Sequence, residues 1–412
     1  MSSVRLRHLA RINPPTPAFD RLADDDELTF VPMEAVWPDS RLDLSRRRTK
    51  SAVATGYTRF QDGDVLVPKI TPTFEAGRAV LIQGLLGGVG AGTTELHVVR
   101  PGPDIDPRFL LYTVNTHAFL KLGASEMYGV AGQQRVPDSF LRDLPVLLPS
   151  LLQQRRIADF LDAETGRVDH LLRLRQLQVD LVNERSASAL DHEFQNSTHR
   201  PTRLKYLLAV KPRYGVLVPS FVDDGVRFIR VNDLLDLTGR AKSLVRIPTE
   251  LSSQYPRTVT RAGDVLLSVV GTMGRSAIVP PDLAGANVAR AVASLRTAPN
   301  VSPELISTWL TTPEFLRQAS DATASDTAQP TLGMEDLSNF KLSWPADAPS
   351  QTRLLRATSK IRTHQTSLER ALKAQENLLA ERRQALITAA VTGQFDVSTA
   401  SGRNVTDGVP TV

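Results

Sequence analysis

Apolar and polar positions along this chain follow two rhythms that take turns. Over residues 1–149, and again over 203–349, short apolar or β-branched runs are separated by Pro and Gly: FVPMEAVW, GDVLVPKI and TELHVV in the first stretch, RFIRV, GDVLLSVV and ARAVASL in the second. Runs of this length bounded by turn residues predict strands. The Gly-Asp pairs at 63 and 263 supply turn chemistry just ahead of two of them. One amphipathic helix is predicted near the end of each stretch, over Asp106 to Leu122 and Ser302 to Ala319, with Pro107 and Pro303 in the first turn, where a missing N–H costs nothing. The other rhythm occupies 150–194 and 350–392. Gly and Pro nearly vanish there and Leu, Arg, Gln, Ala and Glu dominate, which predicts two long helices of about 40 residues, roughly 60 Å at 1.5 Å per residue.

Each long helix carries a stripe with a spacing near 3.5. In the second it runs through Leu354, Ile361, Leu368, Leu372, Leu379 and Leu386, with Thr358, Gln365, Gln375 and Arg382 at the other seam positions. In the first it runs through Ile157, Leu161, Val168, Leu171 and Val182, interrupted by Glu164 and Arg175. Polar interruptions weaken a free-standing coil but fix register with a specific partner. The two helices are therefore expected to pair with each other; packing inside one globular core is the competing reading.

The chain is also written twice. Arg5-Leu6-Arg7 returns as Arg203-Leu204-Lys205, Phe30-Val31 as Phe228-Ile229, GDVLV at Gly63 as GDVLL at Gly263, and GRAV at Gly77 as GRSA at Gly274. Pro149 matches Pro345, and Gln154-Arg155-Arg156-Ile157 matches Gln351-Thr352-Arg353-Leu354. All offsets lie between 196 and 200, and a collinear series at one offset marks a duplicated unit. The expected architecture is α+β: two pseudo-repeated domains, 1–149 and 203–349, separated by two long helices forming an antiparallel coiled coil, 150–194 and 350–392. Residues 195–202 are a linker and 393–412 a disordered tail.

Composition narrows the classes. A chain of 412 residues with 41% hydrophobic and 23% charged residues belongs with ordinary globular proteins, and it contains no apolar run near the ~18 residues of a membrane span. The N-terminus lacks the apolar core of a signal peptide, so the cytoplasm is the expected compartment. Zero cysteines exclude a disulfide framework, a thiolate zinc site and a cysteine nucleophile. The seven histidines form no HxxxH or HExxH pair, and no GxSxG elbow is present. The net charge is only +5, but 40 of the 49 basic residues are arginines, whose planar fork suits phosphate and guanine edges. Residues 1–150 balance at 17 basic and 17 acidic groups and 201–349 at 16 and 14. A nucleic-acid-binding face would have to arise from local clustering.

The duplicated layout and its local wording resemble the specificity subunit, HsdS, of type I restriction-modification systems. The resemblance spans essentially the whole chain. It rests on LPVLLPSLLQQRRIADFLDAETGRVDHLL at 144–172, on LAERRQALITAAVTGQFDV at 379–397, and on the two GDVL strands; Pro349-Ser350-Gln351-Thr352-Arg353 departs by lacking the commoner Glu-Gln pair. It implies a non-catalytic chain whose two target-recognition domains each read one half of an asymmetric bipartite site in double-stranded DNA, with the helices setting the gap. It implies docking of two adenine-N6 methyltransferase subunits and, in the complete complex, restriction/translocase subunits. S-adenosylmethionine, ATP and magnesium would reside on those partners and no cofactor on this chain.

Candidate DNA contacts follow from charge and placement. SRRRTK offers Arg46, Arg47, Arg48 and Lys50; Lys69 and Arg78 flank the loop after the first GDVL strand, and Arg275 occupies the matching loop of the second domain. Lys211, Arg213 and Tyr214 combine charge with a ring, and Arg227 and Arg230 flank a strand. Gln133, Gln134 and Arg135, with Gln329 in the second domain, hold amides able to bond both groups of an adenine edge. A solvated surface is the competing reading for all of them. GLLGGVGAG, 84–92, lacks both nucleotide-loop patterns and reads as a mobile loop. Asn13-Pro14-Pro15-Thr16 resembles the amino-methyltransferase signature but lacks its aromatic residue and any donor-binding motif, so it reads as a turn. Two other classes stay in play: a coiled-coil interaction scaffold that never touches nucleic acid, and an amino-methyltransferase using Asn13-Pro14-Pro15.

Overall fold

The computed structural model describes residues 2–37, 41–130, 132–195, 199–324 and 330–397. The chain divides into two compact units, 1–175 with 374–412, and 176–373. Each unit therefore takes one α+β domain together with part of each long helix. The helices, Leu151–Phe194 and Ala348–Val391, are continuous across that division.

In the first unit an antiparallel sheet has the order Ala10–Ile12, Leu96–Pro101, Val65–Pro68, Val80–Leu81. A second, mixed sheet runs Arg47–Thr49, Glu27–Val31, Val89–Gly92, Thr58–Gln61, with the middle pair parallel. Ser2–Arg5 pairs with Pro145–Leu148. The second unit repeats this grammar with the sheet Arg213–Tyr214, Val292–Leu295, Val265–Ser268, Ser276–Ile278, a three-stranded mixed sheet, and Arg200–Arg203 paired with Lys341–Trp344. The fold is α+β, twice.

The GDVL strands are apolar without alternation because both of their faces are buried. Val65 and Val67 enter one core with Phe109 and Leu110, while Leu66 enters another with Phe60 and Ile82. Val265 and Leu267 against Leu266 divide in the same way. The Gly-Asp turns carry more than turn chemistry. The carboxylate of Asp64 accepts from the Gln61 N–H at 2.8 Å and pairs bidentately with Arg100; Asp264 does the same with Arg261 N–H and Arg296.

Several expectations need correction. The helix expected over Asp106 to Leu122 is two, Pro107–Thr113 and His117–Ser125, and that over Ser302 to Ala319 is Pro303–Trp309 and Pro313–Ala322. Thr116 and Thr312 cap the second helix of each pair by accepting from Phe119 and Phe315 N–H groups, and Pro313 cannot continue a preceding helix. In FVPMEAVW only Phe30 and Val31 are strand; Met33–Ala35 is a 3-10 turn. The glycine run is loop only in its first half, through the 3-10 turn Leu86–Gly88; Val89–Gly92 is an inner strand buried throughout. A Cβ on Gly92 would stand 2.3 Å from the Val31 carbonyl oxygen and one on Gly90 2.5 Å from the Phe60 ring, so these glycines permit close packing. Of the expected tail, residues 393–397 pack: Phe395 lies 5.5 Å from Phe160 and Val397 joins the same core. The remainder, 398–412, lies outside the described residues.

Within each unit the helix segments pair antiparallel. In the first, Ile157 and Leu161 share a core with Leu386, Ile387 and Ala390, and farther along Asp169 meets Arg383 at 3.0 Å. In the second, Phe194 and Leu354 share a core and Gln365 donates to Asn183 at 2.8 Å. Ile157, Leu161, Val168, Leu354 and Leu386 are buried and Val182, Ile361, Leu372 and Leu379 half-buried, as a seam requires. Leu171 and Leu368 are exposed, the first because the seam steps by four from Val168 to Leu172. Gln375 and Arg382 also face outward; their neighbours Glu376 and Arg383 are the ones turned inward.

Candidate nucleic-acid interface

The expected basic residues of the first unit are mostly committed to the fold. Arg46 pairs with Glu34 at 2.9 Å, Arg47 donates to Thr29 Oγ1, and Lys50 reaches the Leu22 carbonyl from a mostly covered position. Arg48 alone of that run has no polar side-chain partner among the described residues; it lies over the Phe30 ring. Arg78 is half-buried with its Nη1 3.4 Å from the Val36 carbonyl. Arg135 is held bidentately by Glu95, whose carboxyl that hydrogen bond pulls below its ordinary range.

Lys69, Gln134 and Arg135 do come together. The Lys69 N–H donates to the Glu95 carbonyl and the Val136 N–H to the Lys69 carbonyl, which brings three segments to one edge. Beside that edge opens a cleft of about 320 Å³, lined by the Asn13–Thr16 turn, Asp20, Tyr57, Thr58, Arg59, Lys69, Leu96 and Val98. Asn13 holds its wall. It adopts a positive φ of 49°, its Oδ1 accepts from Val98 N–H at 2.9 Å, and its Nδ2 lies 3.3 Å from His97 Nδ1. Burial depresses the His97 imidazole below its usual value, against a hydrogen bond to the Val136 carbonyl at 2.9 Å that raises it. Asn13 is thus engaged within the fold as a turn residue, with both its amide oxygen and its amide nitrogen bonded to the neighbouring strand.

The second unit has a cleft at the matching place, about 660 Å³, lined by Pro212, Arg213, Tyr214, Gln254, Tyr255, Pro256, Arg257, Thr258 and Met334. Strand register makes the two equivalent. Val65 faces Val99 as Val265 faces Leu295, which superimposes Asn13-Pro14 on Arg213-Tyr214. Each cleft is also lined by a Tyr-X-Arg segment, Tyr57-Thr58-Arg59 in the first and Tyr255-Pro256-Arg257 in the second, 198 residues apart although the Asp64 and Asp264 turns that follow them lie 200 apart. Reasoning from the sequence missed this Tyr-X-Arg pair, although its offset falls within the repeat series.

The clefts differ in charge. In the first, Arg59 is neutralised by Asp20 at 3.0 Å and stacks 4.1 Å over Phe19. In the second, Arg213, Arg257 and the nearby Arg290 have no acidic partner among the described residues. Tyr214 donates to the Leu332 carbonyl at 2.6 Å, and desolvation raises its phenol above the ordinary range. Lys211 is exposed, Arg230 is tied to Asp233, and Arg275 is half-buried in the hairpin turn after the GDVL strand; Gln329 lies outside the described residues. Among the described residues there is no group of acids and histidines that could hold a metal ion, and no helix is long and apolar enough to cross a membrane.

Known proteins with this sequence and this layout point one way. No protein-family model matches the chain. It is 40% identical over 158 residues to the type I restriction enzyme EcoEI specificity subunit of Escherichia coli, covering 37% of this chain and 26% of that one. It is 37% identical over 191 residues to the EcoAI specificity subunit of the same organism, covering 45% and 30%. The matched stretches thus span less than a third of these relatives' own length. A solved chain from work on complex assembly and conformational transition of the type I R-M system aligns over 96% of this chain and 98% of its own, with a TM-score of 0.66 and 21% identity, and shares the fold. Over part of its sequence this chain is similar to the specificity subunits of type I restriction enzymes, and over nearly all of its length it shares the fold of a chain from a type I R-M system.

Proposed function

We propose that this chain is the non-catalytic DNA-specificity subunit of a type I restriction-modification complex, with each unit reading one half of a bipartite site. The observation that carries this is the pair of equivalent clefts, each walled by Tyr-X-Arg, in two domains of one topology joined by continuous helices. Aromatic and guanidinium groups at a cleft edge suit base edges and phosphates. Unlike walls, Asn13-Pro14 against Arg213-Tyr214, suit unlike half-sites, so the target is asymmetric. The helices set the spacing, since two readers linked through a helical pair convert its length into a fixed gap. Two adenine-N6 methyltransferase subunits supply the methyl-transfer chemistry with S-adenosylmethionine, and restriction/translocase subunits supply ATP- and magnesium-dependent cleavage.

The test is reconstitution with an adenine-N6 methyltransferase subunit of a type I system, followed by selection of bound duplexes from random-sequence DNA. A split site is expected. Exchanging residues 1–149 for those of a relative should change one half only, and deleting seven residues from each helix should change only the gap. Failure to select any sequence, with the methyltransferase still bound, would replace this function with that of a protein-interaction scaffold.

A further inference from the structure

We propose that residues 217–221 of the second unit form an apolar wedge that enters the base stack of DNA beside the Arg213 and Arg257 cleft. The inference rests on the DNA-reading function above and adds a mechanism to one of its two halves.

After Tyr214 the chain leaves the sheet as Gly215 and then Val-Leu-Val-Pro-Ser-Phe-Val, residues 216–222. Both ends of this segment are anchored. Val216 is fully buried, donates to the Val288 carbonyl at 2.8 Å and accepts from Arg290 N–H at 2.9 Å, while Val222 N–H donates to the Arg246 carbonyl at 3.1 Å. Gly215 lies so close beneath that a Cβ there would be 1.9 Å from the Val288 oxygen. Between the anchors Leu217 is 56% exposed and Val218 80%, while Phe221, 55% exposed, rests its ring 6.1 Å from that of the buried Phe228. Scattered apolar residues on a surface need no explanation, but three in five residues on one fastened hook do.

What the hook meets is argued from its base. Arg213 lies just ahead of it, Arg290 is bonded to its first anchor, and Arg257 faces Arg213 across the cleft; none has an acidic partner among the described residues. An apolar groove on a partner protein would have to desolvate these cations without compensation. A duplex offers both halves of the match: phosphates for the arginines and, between base pairs, an apolar slot that wedges of Leu, Ile, Phe or Pro enter by unstacking one step. The first unit has no such device at the matching turn. There Phe19 is buried beneath Arg59, and Asp20 neutralises that arginine. Unstacking is therefore confined to the half-site of the second unit.

The experiment uses the full chain reconstituted with its methyltransferase and a duplex selected by that complex, with 2-aminopurine placed in turn at each purine of both half-sites. The expected result is a several-fold fluorescence rise at one step, in the half-site that changes when residues 203–349 are exchanged. In the double variant Leu217→Ser/Val218→Ser the rise should vanish and affinity should fall about 10- to 100-fold, with an unchanged dependence on salt. These side chains are exposed, so an unaltered melting temperature is expected and reports an intact fold. A fluorescence rise that survives in the variant overturns the wedge. So does a variant that binds DNA normally but no longer holds the methyltransferase, an outcome assigning the hook to protein docking. If the wild-type complex selects no sequence, the DNA-reading function falls, and the wedge with it.

Discussion

The wall of the first cleft turns on Asn13, and its replacement makes a two-part prediction. Asn13 has three duties: a positive φ of 49°, an acceptor for the buried Val98 N–H, and a donor toward His97 Nδ1. Asn13→Ala should cost about 1–3 kcal/mol for the orphaned N–H and about 1–2 kcal/mol for a Cβ residue without a polar side chain in the left-handed region. The sum is roughly 3 kcal/mol. Asn13→Gly removes the conformational cost and keeps the hydrogen-bond loss, so it should be about 1 kcal/mol milder than Ala.

The second part concerns pH. With Nδ1 accepting from Asn13 and Nε2–H donating to Val136, His97 is satisfied as the neutral ring. Protonation would set Nδ1–H against an amide that cannot turn, because its oxygen is held by Val98. Burial works in the same direction, reinforced by Lys69 and opposed by Glu95 and Asp138. The folded His97 is thus harder to protonate than the unfolded one, so the unfolded chain binds more protons as pH falls below about 6.5, and stability drops with acidification through that value. In Asn13→Asp the carboxylate keeps the Val98 contact and presents an acceptor to Nδ1–H. The imidazolium is then favoured and the contribution changes sign, being present below about pH 6.5 and lost as pH rises. Urea denaturation from pH 5.5 to 8, with His97→Gln as the background for subtraction, measures both slopes. Equal slopes in Asn13→Asp and wild type would refute the assigned geometry.

Three further outcomes follow from the same structure. Arg213→Gln and Arg257→Gln should each lower the salt slope of DNA binding by about one, whereas Arg59→Gln and Arg135→Gln, whose charges are already met by Asp20 and Glu95, should leave it nearly unchanged; binding titrations across salt separate the pairs. Asp169→Asn should cost about 2–4 kcal/mol by stranding Arg383 in the seam, and a double change of both to apolar residues should recover much of it, as read by denaturation of the full chain. Gly92→Ala should destabilise by about 3 kcal/mol or more because its Cβ meets backbone rather than a movable side chain, and a variant as stable as wild type would contradict the packing described.

The fold was legible where one physical demand governed a long stretch. Two stretches whose helices hold only one Gly (Gly166) and one Pro (Pro349, in a first turn) can do little else, and a strand buried on both faces must be apolar throughout, so Val65–Pro68 and Val265–Ser268 announced themselves. Legibility failed where a local device overrode the periodic one. Thr116 and Thr312 each end one helix and begin another inside a pattern that continues across the break, and caps of this kind are common residues with no periodic signature. The glycine run misled for a related reason. Mobility and close packing both require the absence of a side chain, and only the Phe60 ring and the Val31 carbonyl decide between them.

The candidate site was harder to read because a cation's use depends on what neutralises it, and those partners are distant in sequence. Arg59 and Asp20 are 39 residues apart, Arg135 and Glu95 40. A dense basic run therefore drew attention to Arg46, Arg47 and Lys50, three cations the fold spends on Glu34, Thr29 and the Leu22 carbonyl. Arg257, isolated in sequence among Pro and Thr, keeps its charge free at a cleft. What singles it out without coordinates is repetition: Tyr-X-Arg recurs at the offset of the duplicated unit, yet only the second copy lacks an acid to match Asp20. Duplication shows that each unit carries a cleft lined by Tyr-X-Arg. Divergence in the neutralising residues shows which cleft retains unpaired cations, and under the proposed function the second unit would contribute the larger electrostatic share of DNA binding.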